Sequence, residues 1–433
     1  MSINTDLTPP TADLAGVTHE VLVQRARDLT ELVRSQADES EERGYYSEQL
    51  HEEFLAAGFY HILTPKKYGG LELGLDTFAE VMVEIGRGDP STAWCLGLGL
   101  GHTLTLASYW PEQAQAELFG NPRGYFRAPH RLVPEGTAEK VDGGWVVEGT
   151  WHYNSGIQYS SHFKGTARTV VDGKPAQIVV VVPTEQVEIL PNWGGDQILG
   201  MRASGSNSVR VDKVLIPEHW AVNMDWRVGD RTDIAPGAAL HGNAMYCGKI
   251  RTPFMVELAS TVVGAAQAAI DEYGSMLRIK KTPPPRSLPR FQDTNHQRDF
   301  GLALSLADSS KHLLLAAARG YMDGVARWGA GIEEFDDLAD SRLRAVTIEA
   351  GKLACDAVES IWRTGGSSQA AKGDRMQRYF RDVSMWRQHM GTQYMNQAPG
   401  LAQAYFGILE SSTAQGLAHQ AARAAAQPGG GTA

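Results

Sequence analysis

The sequence is poor in cysteine and has no excess of positive charge. Its three cysteines, Cys95, Cys247 and Cys355, lie far apart, which argues against a disulfide framework and excludes a CxxC metal site. The formal net charge of −10 argues against a nucleic-acid partner, because phosphate binding needs a basic surface. We therefore expect a reduced, cytoplasmic protein that binds no nucleic acid and no metal.

Long hydrophobic runs and several well-known motifs are also missing. No apolar stretch reaches the roughly 20 residues that cross a bilayer. The polar N-terminal segment does not have the pattern of a signal peptide, so we expect no membrane partner. The motifs GxGxxG after a strand, GxxxxGK[ST], HExxH and GxSxG are absent. The sequence therefore has no fingerprint of a nicotinamide site, a P-loop, a zinc protease or a serine hydrolase.

Hydrophobic periodicity divides the chain into three parts. Residues 1–122 have helical spacing, residues 123–225 form short extended runs broken by glycine, and residues 226–433 return to long helical patterns. We predict an N-terminal helical domain, a central β barrel or sandwich, and a C-terminal helical bundle with a mobile tail. This order of domains does not by itself define a function.

Three kinds of feature could carry chemistry, and each has an ordinary structural alternative. Residues 149–156 (GTWHYNSG) could stack a flat cofactor, although periodicity alone favours an ordinary barrel strand. Residues 362–368 (WRTGGSS) could hold a phosphate on exposed backbone N–H groups, although a helix end is the commoner explanation. His102 and His389 are lone histidines in helical patterns, and such residues more often have a structural role.

Taken together and in order, four motifs resemble the acyl-CoA dehydrogenase superfamily over nearly the whole chain. They are residues 86–94 (GRGDPSTAW), residues 149–156, residues 200–207 (GMRASGSN), and the pair formed by residues 364–366 (TGG) and 381–382 (RD). The resemblance implies a helical N-terminal domain, a central β domain and a C-terminal four-helix bundle, usually assembled as tetramers. We therefore expect a mostly α fold with a central β domain, and a homotetramer.

The chain departs from the dehydrogenases at the position of their catalytic base. Those enzymes commonly have Tyr-Glu-Gly-Thr after Arg-Asp, whereas this chain has His389-Met390-Gly391-Thr392. Met390 has no basic atom, so it cannot remove the α-proton of an acyl thioester. A histidine here, together with Trp-x-x-x-Ser-Gly on the preceding β segment, resembles the flavin monooxygenase branch of the superfamily.

That branch implies a specific activity. Its members take reduced flavin, FMN or FAD, from a separate NAD(P)H:flavin reductase and form a C4a-hydroperoxyflavin with O2. We expect the oxygenase component of such a system, hydroxylating a small aromatic substrate. Three alternatives stay open: an N- or S-oxygenase on the same scaffold, a dehydrogenase with a relocated base, and an inactive helical scaffold protein.

The resemblance also assigns roles to individual residues. Ser155 matches a serine near flavin N5, His389 a histidine that handles the peroxide proton, and His102 a histidine near the substrate, so these three are the predicted catalytic residues. Predicted substrate contacts are His102, His130 and Met390, where His130 stands in a stretch that often holds a small Ser or Thr in relatives. The predicted cofactor contacts are Trp151, Tyr153, Asn154, Ser155, Arg202, Ser204, Gly365, Gly366 and Ser367.

Overall fold

A computed structural model of the chain describes residues 14–223 and 234–408. Three features of the sequence-based prediction lie wholly or partly outside these ranges. They are the mobile tail at residues 429–433, the domain boundary at 225/226, and the second half of a helix predicted over residues 400–425.

Within residues 14–223, seven α-helices precede the sheet. Their apolar faces meet in one core, in which Phe78, Met82 and Ile85 are fully buried. The fifth helix begins at Pro90 because the Asp89 carboxylate accepts a hydrogen bond from Thr92 N at 2.7 Å and proline fits the first turn. The helices are α1 (His19–Ser35), α2 (Ala37–Arg43), α3 (Glu48–Ala56), α4 (Leu75–Gly88), α5 (Pro90–Leu100), α6 (Thr103–Tyr109) and α7 (Glu112–Phe119).

The central region is a single seven-stranded mixed sheet with the strand order β5-β6-β2-β1-β3-β4-β7. Its strands are β1 (His130–Val141), β2 (Gly144–Trp151), β3 (His162–Val171), β4 (Lys174–Pro183), β5 (Glu188–Ile189), β6 (Val209–Pro217) and β7 (Ala221–Val222). A turn at residues 142–143 joins β1 to β2, and β1 pairs with β3 in parallel. In β4, Val179 and Val181 pack against the helical core while Val180 and Val182 pack within the β domain, so both faces of this strand are buried.

Long helices follow the sheet. They are α8 (Pro236–His241), α9 (Arg251–Ile279), α10 (Thr294–Gly329), α11 (Asp337–Gly365), α12 (Arg375–Trp386) and α13 (Tyr394–Tyr405). Among the described residues, α9 alone is long and apolar enough to cross a membrane, but 83% of its most apolar window is buried inside the protein. It is the central helix of the bundle and also packs against α4 and α5.

Three of the four sequence motifs meet where the domains join. Met201 N donates to Asp382 Oδ1 at 2.6 Å, and Ala203 N donates to Ser91 Oγ at 2.7 Å. A side chain at Gly200 would collide with the backbone of α12, since an added Cβ would lie 2.2 Å from Arg381 O. We call the ionisable groups here the interdomain junction: Glu41, Asp89, Arg378, Arg381 and Asp382.

Candidate active site

Serine hydroxyl groups joined by hydrogen bonds lie at the end of the turn at residues 200–207, which is hydrogen-bonded to Asp382 of the interdomain junction. Ser155 Oγ is 2.7 Å from Ser206 Oγ, which is 2.6 Å from Ser204 Oγ. Trp94 on α5 donates its indole N–H to Ser155 Oγ at 2.9 Å. Because Ser155 accepts from Trp94, its own hydroxyl proton is available to Ser206 or to a bound ligand. The hydroxyl is almost buried, with Ser155 only 9% exposed.

His389 lies beside the same tryptophan. Its ring centroid is 5.6 Å from that of Trp94, in an edge-to-face arrangement. The sequence pattern predicted that His389 lies within a helix, and this is wrong. Helix α12 ends at Trp386, and His389 follows in a turn closed by a hydrogen bond from Thr392 N to His389 O. The structure thus brings Ser155, Ser204 and His389 together through Trp94 and Ser206.

The tautomer of His389 follows from its backbone contact. Gly391 N donates to His389 Nδ1 at 3.1 Å, so in the neutral ring Nε2 carries the proton. The surrounding protein and the guanidinium of Arg131 lower the pKa of His389 to about 4, although the ring remains accessible from the open side of the site. At neutral pH His389 is therefore an uncharged imidazole with an N–H donor at Nε2.

The open side of this region carries two exposed apolar groups. Tyr153 is 58% exposed and adopts a positive φ of 57°, and its ring lies 5.6 Å from the Arg131 guanidinium. Met390, predicted as part of a dry pocket wall, is 61% exposed in the single chain. It can form such a wall only when a ligand or another chain covers it.

Two predicted cofactor contacts, one at the end of β2 and one in the loop after it, have structural roles. Trp151 is fully buried among Gly136, Phe163 and Gly165, and its indole N–H donates to Thr166 O at 2.8 Å. Its side chain has no surface left for a flavin, so this assignment is corrected. The Asn154 side chain is also buried, and its amide donates to Trp151 O at 2.7 Å, although its Oδ1 lacks a partner among the described residues.

The other predicted cofactor contacts lie away from Ser155. Arg202 donates to Ile198 O at 2.9 Å and pairs with Asp196, so it stabilises its own turn. Its side chain also lines a surface depression of about 870 Å³. Gly365 is the last residue of α11, and Gly366 and Ser367 follow it, near Arg290, which donates to Gly365 O at 3.1 Å.

The distance of these three residues from the site can be measured along α9. Leu258 O accepts from Trp386, close to His389, whereas Met276 contacts Arg290, close to Gly365. The two positions are about 27 Å apart at ~1.5 Å per helical residue. Within one chain, the structure does not bring Gly365, Gly366 and Ser367 to the Ser155 region.

The two remaining predicted residues, His102 and His130, lie deeper. Their rings pack edge to face with centroids 5.6 Å apart, and Phe254 of α9 packs against His102 at 5.3 Å. His102 Nδ1 is 3.3 Å from Ala128 O, so this nitrogen carries the proton and Nε2 is an acceptor. Neither ring nitrogen of His130 has a hydrogen-bond partner among the described residues. Burial and the nearby Lys164 ammonium lower the pKa of both imidazoles well below the usual range.

Two further ionisable side chains complete this group. Lys164 of β3 is fully buried and donates to His102 O at 2.8 Å and to Thr105 Oγ1, and burial lowers its pKa to about 7. Glu257 of α9 is 1% exposed, lies 3.6 Å from His102 Nε2, and has a pKa raised well above the usual range by burial. We call this group the buried histidine cluster: His102, His130, Lys164 and Glu257.

Several of these residues were not predicted from the sequence. Lys164 stands in a β-branched and aromatic strand, and Glu257 stands in the apolar run from Pro253 to Ala259. A single charge in a buried element is a signal that could have identified both. Trp94, Arg131 and Ser206 had no such signal, because only the folded chain places them beside Ser155 and His389.

The residues around Ser155 fit a flavin by their chemistry. An isoalloxazine ring is flat and has polar atoms along one edge. The Ser155 hydroxyl supplies a donor for an edge atom, the exposed ring of Tyr153 supplies an aromatic face, and Arg131 supplies a positive charge. These groups can hold a flavin and exclude water from part of it.

The fold and motifs agree with comparisons to known proteins. The family model described as "Acyl-CoA dehydrogenase, N-terminal domain" matches residues 17–118, and that described as "Acyl-CoA dehydrogenase, C-terminal domain" matches residues 256–394. The chain belongs to the acyl-CoA dehydrogenase superfamily, and the predicted family and fold class are confirmed.

Individual relatives within the superfamily include a hydroxylase and a flavin-dependent oxygenase subunit. The chain is 29% identical over 378 residues to a "Pigment production hydroxylase" of a Rhodococcus species, covering 86% of this chain and 93% of the relative. It is 25% identical over 371 residues to the "Flavin-dependent monooxygenase, oxygenase subunit HsaA" of Rhodococcus jostii, covering 85% and 93%. Among solved structures, "XiaF from Streptomyces sp. in complex with FADH2 and Glycerol" superimposes with a TM-score of 0.79 at 23% identity, covering 91% and 96%.

Proposed function

We propose that this chain is the oxygenase component of a two-component flavin monooxygenase that hydroxylates a small aromatic substrate with reduced flavin and O2. The observation that carries the proposal is the arrangement of Ser155 and His389 around Trp94, on the open side of the chain. The named relatives support the class of activity, since they include a hydroxylase and a flavin-dependent oxygenase subunit.

Each residue contributes a defined step. A bound reduced flavin supplies the two electrons that activate O2. Ser155 offers a hydroxyl proton to the polar edge of the flavin, while Trp94 and Ser206 fix the position of that hydroxyl. His389 carries a proton at Nε2 and offers it as a hydrogen bond to the reacting oxygen, while its lowered pKa keeps the ring uncharged at neutral pH. Tyr153 and Met390 cover the open side and exclude water when the site is filled.

The dehydrogenase alternative would need a carboxylate at the reacting carbon. Met390 fills the position of the family's glutamate. A buried carboxylate does exist on α9, but Glu257 faces Gly101 and His102, where an added Cβ on Gly101 would lie 2.1 Å from Glu257 Oε1. Such a dehydrogenase would bleach oxidised flavin when mixed anaerobically with an acyl-CoA, and we expect no bleaching here.

A direct test needs no knowledge of the substrate. The chain is mixed with chemically reduced FMN or FAD and then with O2, and the return of oxidised-flavin absorbance is followed by stopped flow. We expect the chain to delay this return relative to free flavin, and to oxidise no NADH unless a flavin reductase is added. Immediate reoxidation at the rate of free flavin, or rapid NADH oxidation by the chain alone, would contradict the proposal.

The assembly is proposed to be a cytoplasmic homotetramer. Large apolar side chains stay exposed on the helices and in the loop after α10 of the single chain, among them Ile279, Ile332 and Met395. Gly365, Gly366 and Ser367 lie far from the Ser155 of their own chain, so a second copy would bring them to a shared flavin site. Multi-angle light scattering should give four times the 47.1 kDa chain mass. A stable monomer at micromolar concentration would rule out this assembly.

A further inference from the structure

Arg127 is a buried arginine that the proposed function does not use. It lies in the segment between α7 and β1, and its side chain is fully buried. Within residues 14–223 and 234–408 no carboxylate faces it, although a buried arginine usually has an ionised partner. The titratable groups around it are the phenols of Tyr46, Tyr60 and Tyr125 and the thiol of Cys95. Burial raises the pKa of these four groups, so they carry no negative charge to balance the guanidinium.

We propose that Arg127 is a positioning residue that holds Ser155 against Trp94, and that its unbalanced charge strengthens the binding of reduced flavin relative to oxidised flavin. This inference rests on the proposed function and adds a residue that acts on the flavin without touching it. The ring system of a reduced flavin carries a negative charge near neutral pH, whereas that of an oxidised flavin is neutral. A nearby cation therefore favours the reduced form.

The guanidinium of Arg127 joins the two chain segments that carry Trp94 and Ser155. Arg127 Nη2 donates to Cys95 O at 2.5 Å, and Cys95 directly follows Trp94 on α5. Arg127 Nη1 donates to Gln158 O at 2.7 Å, three residues after Ser155. The hydrogen bond from Trp94 to Ser155 spans the same two segments. Each guanidinium bond therefore fixes one side of the contact that orients the Ser155 hydroxyl.

The guanidinium can approach these segments because two glycines leave room for it. An added Cβ on Gly99 would lie 2.3 Å from Arg127 Nε, and one on Gly156 would lie 2.6 Å from Arg127 Nη2. Gly156 directly follows Ser155, and adjacent Cα atoms are about 3.8 Å apart, so the charge lies within about 8 Å of the Ser155 backbone. At such distances inside a protein, a cation can change the binding constant of an anion by about tenfold.

Aromatic rings stabilise this cation without neutralising it. The guanidinium carbon of Arg127 lies 5.5 Å from the ring centroid of Tyr46 and 5.6 Å from that of Tyr60. Such cation–π contacts stabilise a desolvated guanidinium and leave its net charge in place, whereas a carboxylate would cancel it. The other arginine near the site differs in this respect, since the charge of Arg131 is balanced by Glu135 at 2.8 Å. Arg127 is therefore the better source of a positive field at the flavin.

The positioning role can be measured on the flavin-free chain. Arg127→Lys keeps the positive charge, but an ammonium group lacks the planar fork that binds Cys95 O and Gln158 O together. We expect amide hydrogen exchange in the peptide covering residues 154–161 to become about tenfold or more faster, because this turn loses a charged hydrogen bond. The peptide covering residues 210–217 of β6 is the internal control and should not change. Unchanged exchange at residues 154–161 in the folded variant would overturn the positioning role.

The charge role can be measured by flavin binding without turnover. Equilibrium dialysis under anaerobic conditions, with FMN and with FAD in turn, gives the ratio of the dissociation constants of oxidised and reduced flavin. We expect Arg127→Met to lower this ratio by about tenfold and Arg127→Lys to keep it, since only the methionine removes the charge. A purely structural arginine would weaken both redox states equally. Arg123→Met is the matched control, because Arg123 stands in the same segment but pairs with Glu185 at 2.7 Å, and it should leave the ratio unchanged.

The outcomes separate the two roles from each other and from the proposed function. Equal affinity of the wild-type chain for both redox states, or an unchanged ratio in a folded Arg127→Met, would overturn the charge role. If Arg127→Met does not fold, Arg127→Lys decides, since a tenfold fall in its ratio despite the retained charge would contradict that role.

A wild-type chain that binds neither redox state would refute the charge role together with the proposed function, and exchange in the flavin-free chain would still decide the positioning role. A chain that binds flavin with the expected ratios but reoxidises it at the rate of free flavin would contradict the proposed function alone.

Discussion

The interdomain junction and the buried histidine cluster are both made of buried ionisable side chains, but they bond to different partners. In the junction, Asp89 and Asp382 each accept a hydrogen bond from a main-chain N–H, those of Thr92 and Met201. Each carboxyl also has a second oxygen without a partner among the described residues, in keeping with the raised pKa of both groups. In the cluster, the nitrogens of His130 and one oxygen of Glu257 have no partner within that part of the chain.

The difference indicates which residues hold the site and which take part in its chemistry. Asp89 and Asp382 of the junction each accept from a buried main-chain N–H, so removing either should destabilise the fold. Side chains that face the site, including Ser155 and His389, keep hydrogen-bonding atoms available to a ligand, so removing one should lower activity and leave stability nearly unchanged. The predictions below test this distinction, beginning with the largest expected effect.

His389→Ala should lower hydroxylation by ~10²–10⁴-fold, because it removes the proton donor at Nε2. Stability should change little, since His389 lies in an exposed turn and, among the described residues, its ring forms a hydrogen bond only with Gly391 N of that turn. A single-turnover product assay and a thermal melt on the same preparation measure both quantities, with any aromatic compound that the wild-type chain hydroxylates.

The matched control for this change is His312→Ala, because His312 is an exposed histidine on α10 whose ring forms a hydrogen bond with Asp308 O of the same helix. It should affect neither activity nor melting. If His389→Ala instead lowers the melting temperature and forms near-normal product, His389 belongs with the structural residues and the distinction fails at this position.

Ser155→Ala should raise the fraction of oxygen released as hydrogen peroxide by about tenfold or more. One hydrogen bond to a charged or polarised group is worth ~1.5–3 kcal/mol, and this variant loses the hydroxyl that is offered to the flavin edge. Hydroxylated product and peroxide are measured against oxygen consumed. Ser275→Ala is the control, because that hydroxyl bonds to Asp271 O on the exposed side of α9. An unchanged ratio of product to oxygen in Ser155→Ala would mean that Ser155 is structural.

Asp382→Ala should behave in the opposite way. It leaves Met201 N without its acceptor in a buried place, which costs ~1–3 kcal/mol of folding free energy. Asp382→Asn keeps an acceptor oxygen and resembles a protonated acid, so it should cost less. Urea denaturation measures both variants, and the ratio of product to oxygen should stay normal at a temperature where each is folded. A stable Asp382→Ala with poor coupling would reverse the assigned roles.

Much of the fold could be predicted from the sequence because it follows from periodicity and motifs. The change from helical to extended spacing and the motif order around Gly200, Arg381 and Asp382 led to the fold class, which is confirmed, as is the class of activity. The end of α12 was placed too late, because the residues after Trp386 keep a helical pattern while Thr392 and Gly391 close a turn on His389.

The candidate site was harder to predict. Trp151 matched the pattern of a stacking residue, but alternation along a strand does not reveal which face packs into the core of the β domain, where Trp151 lies with Val147 and Phe163. The pairing of His130 with Lys164 depends on the parallel register of β1 and β3, which a sequence does not specify across about 30 residues. The assignments of Ser155, His389 and His102 stay predictions until they are tested by mutation.

The smallest expected effect is a difference between the two regions in how their local stability depends on pH. Burial lowers the pKa of His102 and His130 in the folded chain below the ordinary value. Their contribution to the free energy of unfolding is therefore complete above pH 6.5 and is lost as the pH falls below it. The folded pKa of Asp89 and Asp382 is raised, so their contribution is present at low pH and is lost as the pH rises through that value. Acidification from pH 7.5 to 5.5 should therefore loosen the cluster and not the junction.

Amide hydrogen exchange on the full chain can resolve this divergence. After correction for intrinsic rates, peptides covering residues 100–106 and 128–131 should exchange up to about tenfold faster at pH 5.5. At this pH, one unit below the ordinary histidine pKa, an imidazole in the unfolded chain is about ten times more often charged than neutral, and this shifts the local opening equilibrium by about the same factor. Peptides covering residues 198–203 and 378–384 should not change, because protonating a junction carboxyl does not remove the main-chain hydrogen bond to Met201. Faster exchange at the junction than at the cluster would show that the junction, and not the site, contains the strained ionisable groups.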